Sequence, residues 1–461
     1  MKRSSDSRFW RSVWHVALPV TLQTVVMSLL SMTDQVMVGQ LGITAVAATG
    51  VAAKLNAIVI VVLSGLSSGI AIYAAQFWGQ GRPERLPPLL GYGFMVGIPL
   101  AGVMVLLISF WPQHAIALFS ADSHVQQQGA TYVLIVAFSF VPQMVTLLYS
   151  ALLRATGDAR LPLFASLVAV LLNLLFNYLL IFGHAGCPKL GLSGAAWATL
   201  LARSVELAVI LLALYWRGHV LAIFHWRALC GLTSHVRRGL LFTTMPLILT
   251  EGVWVLGESA YAMVYGHMST LALAAMTMTY PLQGLSIGLL CGLSAAASVL
   301  VGQRLGADDF RGAISCAHRL LRLGMAASLL VGLLLLAGAG SYVGLYDASA
   351  EVLLQAQWCV WVFALLLWVK VGNMIIAGGI LNSGGDSRFV LVMESLATWL
   401  IGVPSAYIMA FWLQLPIHWV YLVLSLEELV RLAVGYWRLR SRRWMRNLVA
   451  TPVDDAVAQP S

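Results

Sequence analysis

Twelve long apolar runs constrain this chain more than any other feature. They fall at roughly 13–37, 45–76, 89–110, 127–152, 161–182, 192–216, 240–265, 271–301, 318–340, 352–381, 389–412 and 417–437. A bilayer's hydrocarbon core is crossed by about 20 helical residues. Runs of this length and continuity must satisfy their backbone polar groups internally once in lipid, and a helix does so within a single segment. The runs at 45–76 and 271–301 exceed the bilayer thickness, which implies tilt or extension beyond the lipid. Charged residues make up only 10% of the 461 positions and hydrophobic ones 60%. Soluble domains are about 25% charged, so a water-soluble core is excluded and an all-α polytopic membrane protein is expected.

The net charge is +9, which by itself would invite a nucleic-acid partner. The placement of the charges argues against one. Of 27 Lys and Arg, four (Lys54, Arg203, Lys370 and Arg431) fall well within spans, Lys189 falls in an outer loop, and the other 22 fall on the side of the N-terminus, Arg319 and Arg322 among them in the first turn of the run at 318–340. That asymmetry is the signature of membrane orientation and predicts both termini in the cytoplasm. No cleavable signal peptide is expected, since the first apolar run has no small-residue cleavage site and leads straight into Asp34. The five cysteines, at 187, 230, 291, 316 and 359, show no CxxC or metal-ligand spacing, so free thiols and no metal site are expected.

The two halves repeat. At a constant offset of 227, Pro19 matches Pro246, Gly39 matches Gly266, and Ala47-Ala48 matches Ala274-Ala275. Gly65-Leu66-Ser67 matches Gly292-Leu293-Ser294, Gln76 matches Gln303, and Gly79 matches Gly306. Further on, Gly157-Asp158-Ala159-Arg160 matches Gly385-Asp386-Ser387-Arg388 at an offset of 228. Six spans per half is an even number, so both halves enter the membrane the same way. The expected fold is twelve transmembrane helices in two six-helix lobes, related by a pseudo-twofold axis along the membrane normal with a cleft between them. The lobes are expected at 1–216 and 240–437, joined by a cytoplasmic amphipathic linker at 217–239 and followed by a cytoplasmic tail at 438–461. In the linker, Phe224 and Trp226 lie among basic residues. Two lobes around a cleft suit a transporter that works by alternating access. The Gly-Asp-x-Arg loops read either as tight turns with a helix cap or as gating ion pairs.

A carboxylate inside a span is costly and points to function. Asp34 lies near the end of the first run, followed by Val36-Met37-Val38 and the Gly39 turn. It reads either as half of an ion pair with Lys54 or as a group that alternates between charged and cation-neutralised forms. Asn173 and Asn177 are four apart and share one helix face. Glu251 and Glu258 lie seven apart on the seventh span, with Lys370 as a candidate ion-pair partner for Glu251. Arg203 with Glu206, and Glu427 with Arg431, have the spacing of intrahelical pairs. No HExxH motif occurs, and an enzyme is not expected.

These pieces together resemble the multidrug and toxic compound extrusion (MATE) family over about residues 10–440. The matching motifs are Pro19, Asp34-Gln-Val-Met-Val-Gly-Gln-Leu-Gly42, Gln76-Phe-Trp-Gly79 and Leu153-Arg-Ala-Thr-Gly-Asp-Ala-Arg160. Asn173-Leu-Leu-Phe-Asn-Tyr-Leu-Leu-Ile-Phe-Gly183, Gly191-Leu-Ser-Gly-Ala-Ala-Trp-Ala-Thr199 and Leu381-Asn-Ser-Gly-Gly-Asp-Ser-Arg388 complete the set. The resemblance implies an exporter of organic, often cationic, drugs or metabolites, driven by inward H⁺ or Na⁺ and needing no other cofactor. It implies a coupling-cation site of Asp34, Asn173, Asn177 and Thr199, and an acid with a substrate or cation role on the helix of Glu251 and Glu258. Some relatives carry an aspartate where this chain has Asn177. Sodium-coupled ones can carry an acid on the tenth span, where this chain has Lys370 and Asn373. Both departures favour H⁺ over Na⁺. The competing function is a lipid-linked precursor flippase of the same two-lobe form, for which a more basic cavity is expected. A monomer in a bacterial inner membrane is expected, with small organic substrates and membrane lipid as its partners and no nucleic acid.

Overall fold

A computed structural model describes residues 2–117, 122–222, 231–346 and 348–450. The helices are α1 (Lys2–Gly39), α2 (Ile43–Gly79), α3 (Leu86–Phe110), the short α4 (Pro112–Ala117), α5 (Ser123–Ala137), α6 (Phe140–Ala155), α7 (Arg160–Phe182) and α8 (Leu192–Trp216). The second half holds α9 (Ser234–Met268), α10 (Thr270–Gly306), α11 (Phe310–Val343), α12 (Ala350–Leu381), α13 (Ser387–Trp412) and α14 (Ile417–Ser441). Ten single helices are long and apolar enough to cross a membrane, and α5 with α6 makes one further span bent by 46°. The remaining helix, α14, carries Glu427, Glu428 and Arg431 on its apolar background. By length and composition the described residues thus supply ten to eleven candidate spans, and α14 lies along the twelfth apolar run.

The bend between α5 and α6 has a local cause. Pro142 sits in the first turn of α6, where its ring carries no N–H to bond the carbonyl of Phe138. Ser139 covers the break, its backbone N–H reaching Val136 O at 2.9 Å and its hydroxyl donating to the same oxygen at 2.6 Å. In α13, Pro404 accompanies two π-helical stretches, Ala397–Gly402 and Ile408–Trp412. A third, Met374–Leu381, ends α12. Such wide turns re-aim side chains and recur at functional sites.

Contacts divide the chain into two compact units. One is Leu22–Thr244; the other is Met1–Thr21 together with Met245–Ser461. Both boundaries fall inside helices, α1 and α9. The start of α9 at Ser234 places Arg237 and Arg238 on a helix, while Phe224, Trp226 and Arg227 of the expected linker lie outside the described residues. Beyond α14 the chain turns back on itself. Trp444 is fully buried and donates its indole N–H to Leu439 O at 3.0 Å. Asn447 donates to the Asp308 carboxylate at 2.8 Å.

The Gly-Asp-x-Arg loops combine features of both readings. Gly157 and Gly385 have φ of +91° and +73°, the left-handed turn that favours glycine. Each aspartate pairs with an arginine at the end of the last helix of its own half. Asp158 meets Arg217 at 3.1 Å, and Asp386 holds Arg438 through two bonds of 2.6 and 3.1 Å.

Candidate functional site

In the unit Leu22–Thr244, the polar site joins α1, α5, α7 and α8. Asp34 is half-buried on α1. The side-chain N–H₂ of Asn177, on α7, donates to the Asp34 carboxylate at 2.7 Å and to Asn173 Oδ1 at 3.0 Å. Both asparagines are buried, and the i, i+4 spacing does set them on one face. The two hydrogens of that amide are therefore spent, while its own Oδ1 is buried with no partner. Thr199, on α8, bonds back to Ala195 O at 3.0 Å and hydrogen-bonds Tyr132 of α5. Tyr132 and Arg203 both lie within electrostatic reach of Asp34. Arg203 is itself held by Glu206 at 2.8 Å. Lys54 does not pair with Asp34: it is exposed on α2 and makes no ion pair among the described residues. An amide, not an ammonium, is the partner of the carboxylate.

The unit containing Met245–Ser461 holds a denser cluster. Lys370 of α12 lies 3.3 Å from Glu428 of α14, so its ion-pair partner is Glu428 and not Glu251. Asn373, one turn along α12, donates to the same carboxylate at 2.7 Å and to Glu428 O at 2.8 Å. Arg431 binds Glu427 at 2.6 Å and the Thr398 hydroxyl at 2.5 Å. The Tyr261 hydroxyl donates to Glu427 at 3.0 Å. Thr398 sits on the first π-helical stretch of α13. Gly402 ends that stretch, and a Cβ there would collide with Glu427 and the Tyr261 hydroxyl. The glycine thus leaves room for the carboxylate. A cavity of about 40 Å³, lined by Glu258, Tyr261, Lys370, Glu427, Glu428 and Arg431 among others, is large enough for a water molecule or a bare ion.

Glu258 has no hydrogen bond or ion pair among the described residues, yet it sits in the fields of Lys370, Glu428 and Arg431. Glu251 is exposed on α9, and the half-buried Glu394 of α13 lies within its electrostatic reach. Four acids, at 258, 394, 427 and 428, thus face two bases, Lys370 and Arg431. The sequence reading passed over Tyr132, Glu394 and Glu428. Glu428 had a usable signal, since two adjacent acids inside an apolar run are too costly to be incidental. Tyr132 had none, because aromatic residues are common throughout the spans.

A family model described as MatE matches residues 19–179 and again 246–408. The starts of the two matches differ by the 227 positions of the internal repeat. Multidrug resistance protein NorM of Burkholderia vietnamiensis is 28% identical over 403 residues, covering 86% of each chain. A probable multidrug resistance protein NorM of Agrobacterium fabrum is 26% identical over 389 residues, covering 82% of each. Among solved structures, the Vibrio cholerae MATE transporter VcmN superposes with a TM-score of 0.86 over 96% of this chain and 99% of that one, at 19% identity. That likeness is one of fold.

Proposed function

The chain belongs to the multidrug and toxic compound extrusion family, and from that premise we propose that it is an antiporter exporting organic, often cationic, drugs or metabolites by alternating access. The exchanged ion is H⁺ in preference to Na⁺, and Asp34 is the carboxylate that carries it. The relatives named above are multidrug resistance proteins, which favours export over lipid-precursor flipping. The excess of acids over bases in the second cluster points the same way, since a cationic substrate needs counter-charge.

One observation carries the preference for H⁺: Asn177 turns its N–H₂ toward Asp34. An N–H group cannot ligate Na⁺, and the Oδ1 of Asn173 already accepts from that same amide. A proton needs only the carboxylate. With Asp34 ionised, its bond to Asn177 is charge-assisted and worth about 1.5–3 kcal/mol; once neutral, the same bond is worth about 0.5–1.5 kcal/mol. Proton arrival therefore loosens α1 from α7 and removes the charge that bars Asp34 from an apolar environment. Substrate leaves while the proton is held; proton release to the cytoplasm restores the grip.

The orientation proposed from the Lys and Arg asymmetry, both termini in the cytoplasm of a bacterial inner membrane, makes this direction one of export. Dye efflux measured in everted vesicles, with H⁺ and Na⁺ gradients imposed separately, tests the reading. Transport driven by a pH gradient with Na⁺ absent is the expected result.

A further inference from the structure

A second cavity, of about 620 Å³, lies far along the sequence from either acid cluster. Its walls are the first turns of α1, the last turns of α10 and the first turns of α11, all in the unit that contains Met1–Thr21. Because α10 ends at Gly306 and α11 begins at Phe310, the cavity opens where two spans leave the lipid. Two guanidinium groups face it. Arg304 and Arg319 lie 6.0 and 5.4 Å from the centroid of the Phe9 ring, and the buried ring fixes both. Arg304 donates one bond, from Nη1 to Gly312 O at 2.6 Å. Among the described residues no other hydrogen-bond acceptor engages it, so most of its five N–H donors remain unspent.

The cavity wall carries one acid, Asp309, against the two guanidinium groups. Asp309 caps α11, its carboxylate accepting from Gly312 N–H at 2.8 Å. Asp308 beside it accepts from Asn447. Arg311 is exposed on the same stretch of α11. On α1, Trp10 and Trp14 are exposed at 39% and 55% next to the buried Phe9, as suits aromatic side chains at headgroup depth. An unspent planar guanidinium fork matches a phosphate in geometry and charge, and basic pockets at this depth take anionic lipid headgroups.

We propose that this cavity binds the phosphate of an anionic membrane lipid, with Arg304 and Arg319 as its charged contacts. The inference rests on the membrane-spanning fold and is independent of the coupling ion. The test is native mass spectrometry of the full chain in detergent, titrated with phosphatidylglycerol, phosphatidylcholine or inorganic phosphate. Phosphatidylglycerol is expected to bind and phosphatidylcholine is not. The double variant Arg304→Gln/Arg319→Gln should weaken the phosphatidylglycerol complex roughly tenfold or more. Ser315→Trp, which fills the cavity while keeping both arginines in the chain, should weaken it as much. Arg322→Gln, at an exposed position outside the lining, should leave it unchanged. Equal retention of phosphatidylcholine, or undiminished binding in both cavity variants, overturns the proposal. Binding of inorganic phosphate without phosphatidylglycerol overturns the lipid as its source.

Discussion

Replacing Asp34 by Asn changes one atom type and no shape, so its consequences can be separated by size. The 2.7 Å bond from Asn177 to Asp34 loses its charge assistance. On the usual scale for such bonds the loss is about 1–1.5 kcal/mol, small enough for a folded protein to survive. The effect on coupling is total by comparison. One pH unit is worth 1.36 kcal/mol per proton, or a factor of about ten. If one proton is exchanged for one monovalent cation, the exchange is electroneutral, and a one-unit gradient sustains about a tenfold substrate ratio. Asn cannot carry the proton, so in Asp34→Asn the ratio should fall to about one. Substrate binding should be at least partly retained, because the acids at 251 and 258 are untouched. The assay is accumulation of a fluorescent cation in everted vesicles with an imposed pH gradient, alongside equilibrium binding to the purified variant. The sign also matters: flux should grow as the extracellular side is acidified, since loading from that side requires protonation. Gradient-driven accumulation persisting in Asp34→Asn would refute the coupling role. A wild type that needs Na⁺ at every pH would refute the ion and leave the site standing.

Further outcomes are expected from other parts of the molecule. Glu251→Gln should raise KM for cationic substrates several-fold more than for neutral ones; an equal loss for both, with poor yield, would mark a structural role. Single cysteines at Ser123 and at Ala307, introduced after replacing the native thiols, should label from opposite sides of the membrane, Ser123 from outside. Same-side labelling would break the span count. Trp444→Ala should cost about 3–5 kcal/mol, the range for emptying a large buried aromatic site, read as a lower Tm of the detergent-purified protein. No change in Tm would mean that the segment after α14 contributes little to the fold.

The architecture was legible because its signals are one-dimensional. Apolar runs, Lys and Arg placement and an internal repeat at an offset of 227 to 228 need no knowledge of which helix meets which. Asp34 was legible because a charge in lipid is costly wherever it packs, and the Asn173/Asn177 pair because i, i+4 geometry is a property of one helix. The partners were less so. Lys54 was a reasonable mate for Asp34 by distance along the chain, yet α2 carries it to an exposed position. Lys370 was matched with Glu251, but α12 packs against α14, so Glu428 reaches it first. The break at Pro142 and the π-helical stretches also went unread. They involve a few backbone bonds inside runs whose apolar pattern carries on unbroken.

The repeat has one consequence for the chemistry. At the offset of 227, the residue matching Asp34 is Tyr261. The first helix of the second half therefore has no acid at that place, and its hydroxyl donates instead to Glu427 of α14. The carboxylate has moved from the first helix of the repeat to the last. Its circumstances differ as well. Glu427 is held by Arg431, a permanent cation whose removal would leave a buried charge at a cost of about 3–5 kcal/mol. Glu427 is thus neutralised without any transported ion. Asp34 has only an amide, which stabilises the carboxylate but brings no charge to cancel it. Of these two acids, Asp34 alone lacks a fixed counter-charge, which is why we propose it as the coupling carboxylate. In the acid cluster of the second unit, Glu251, Glu258 and Glu394 have no ion pair among the described residues. Glu258 lines the cavity there, and its lack of a fixed partner leaves its charge free to meet a cationic substrate.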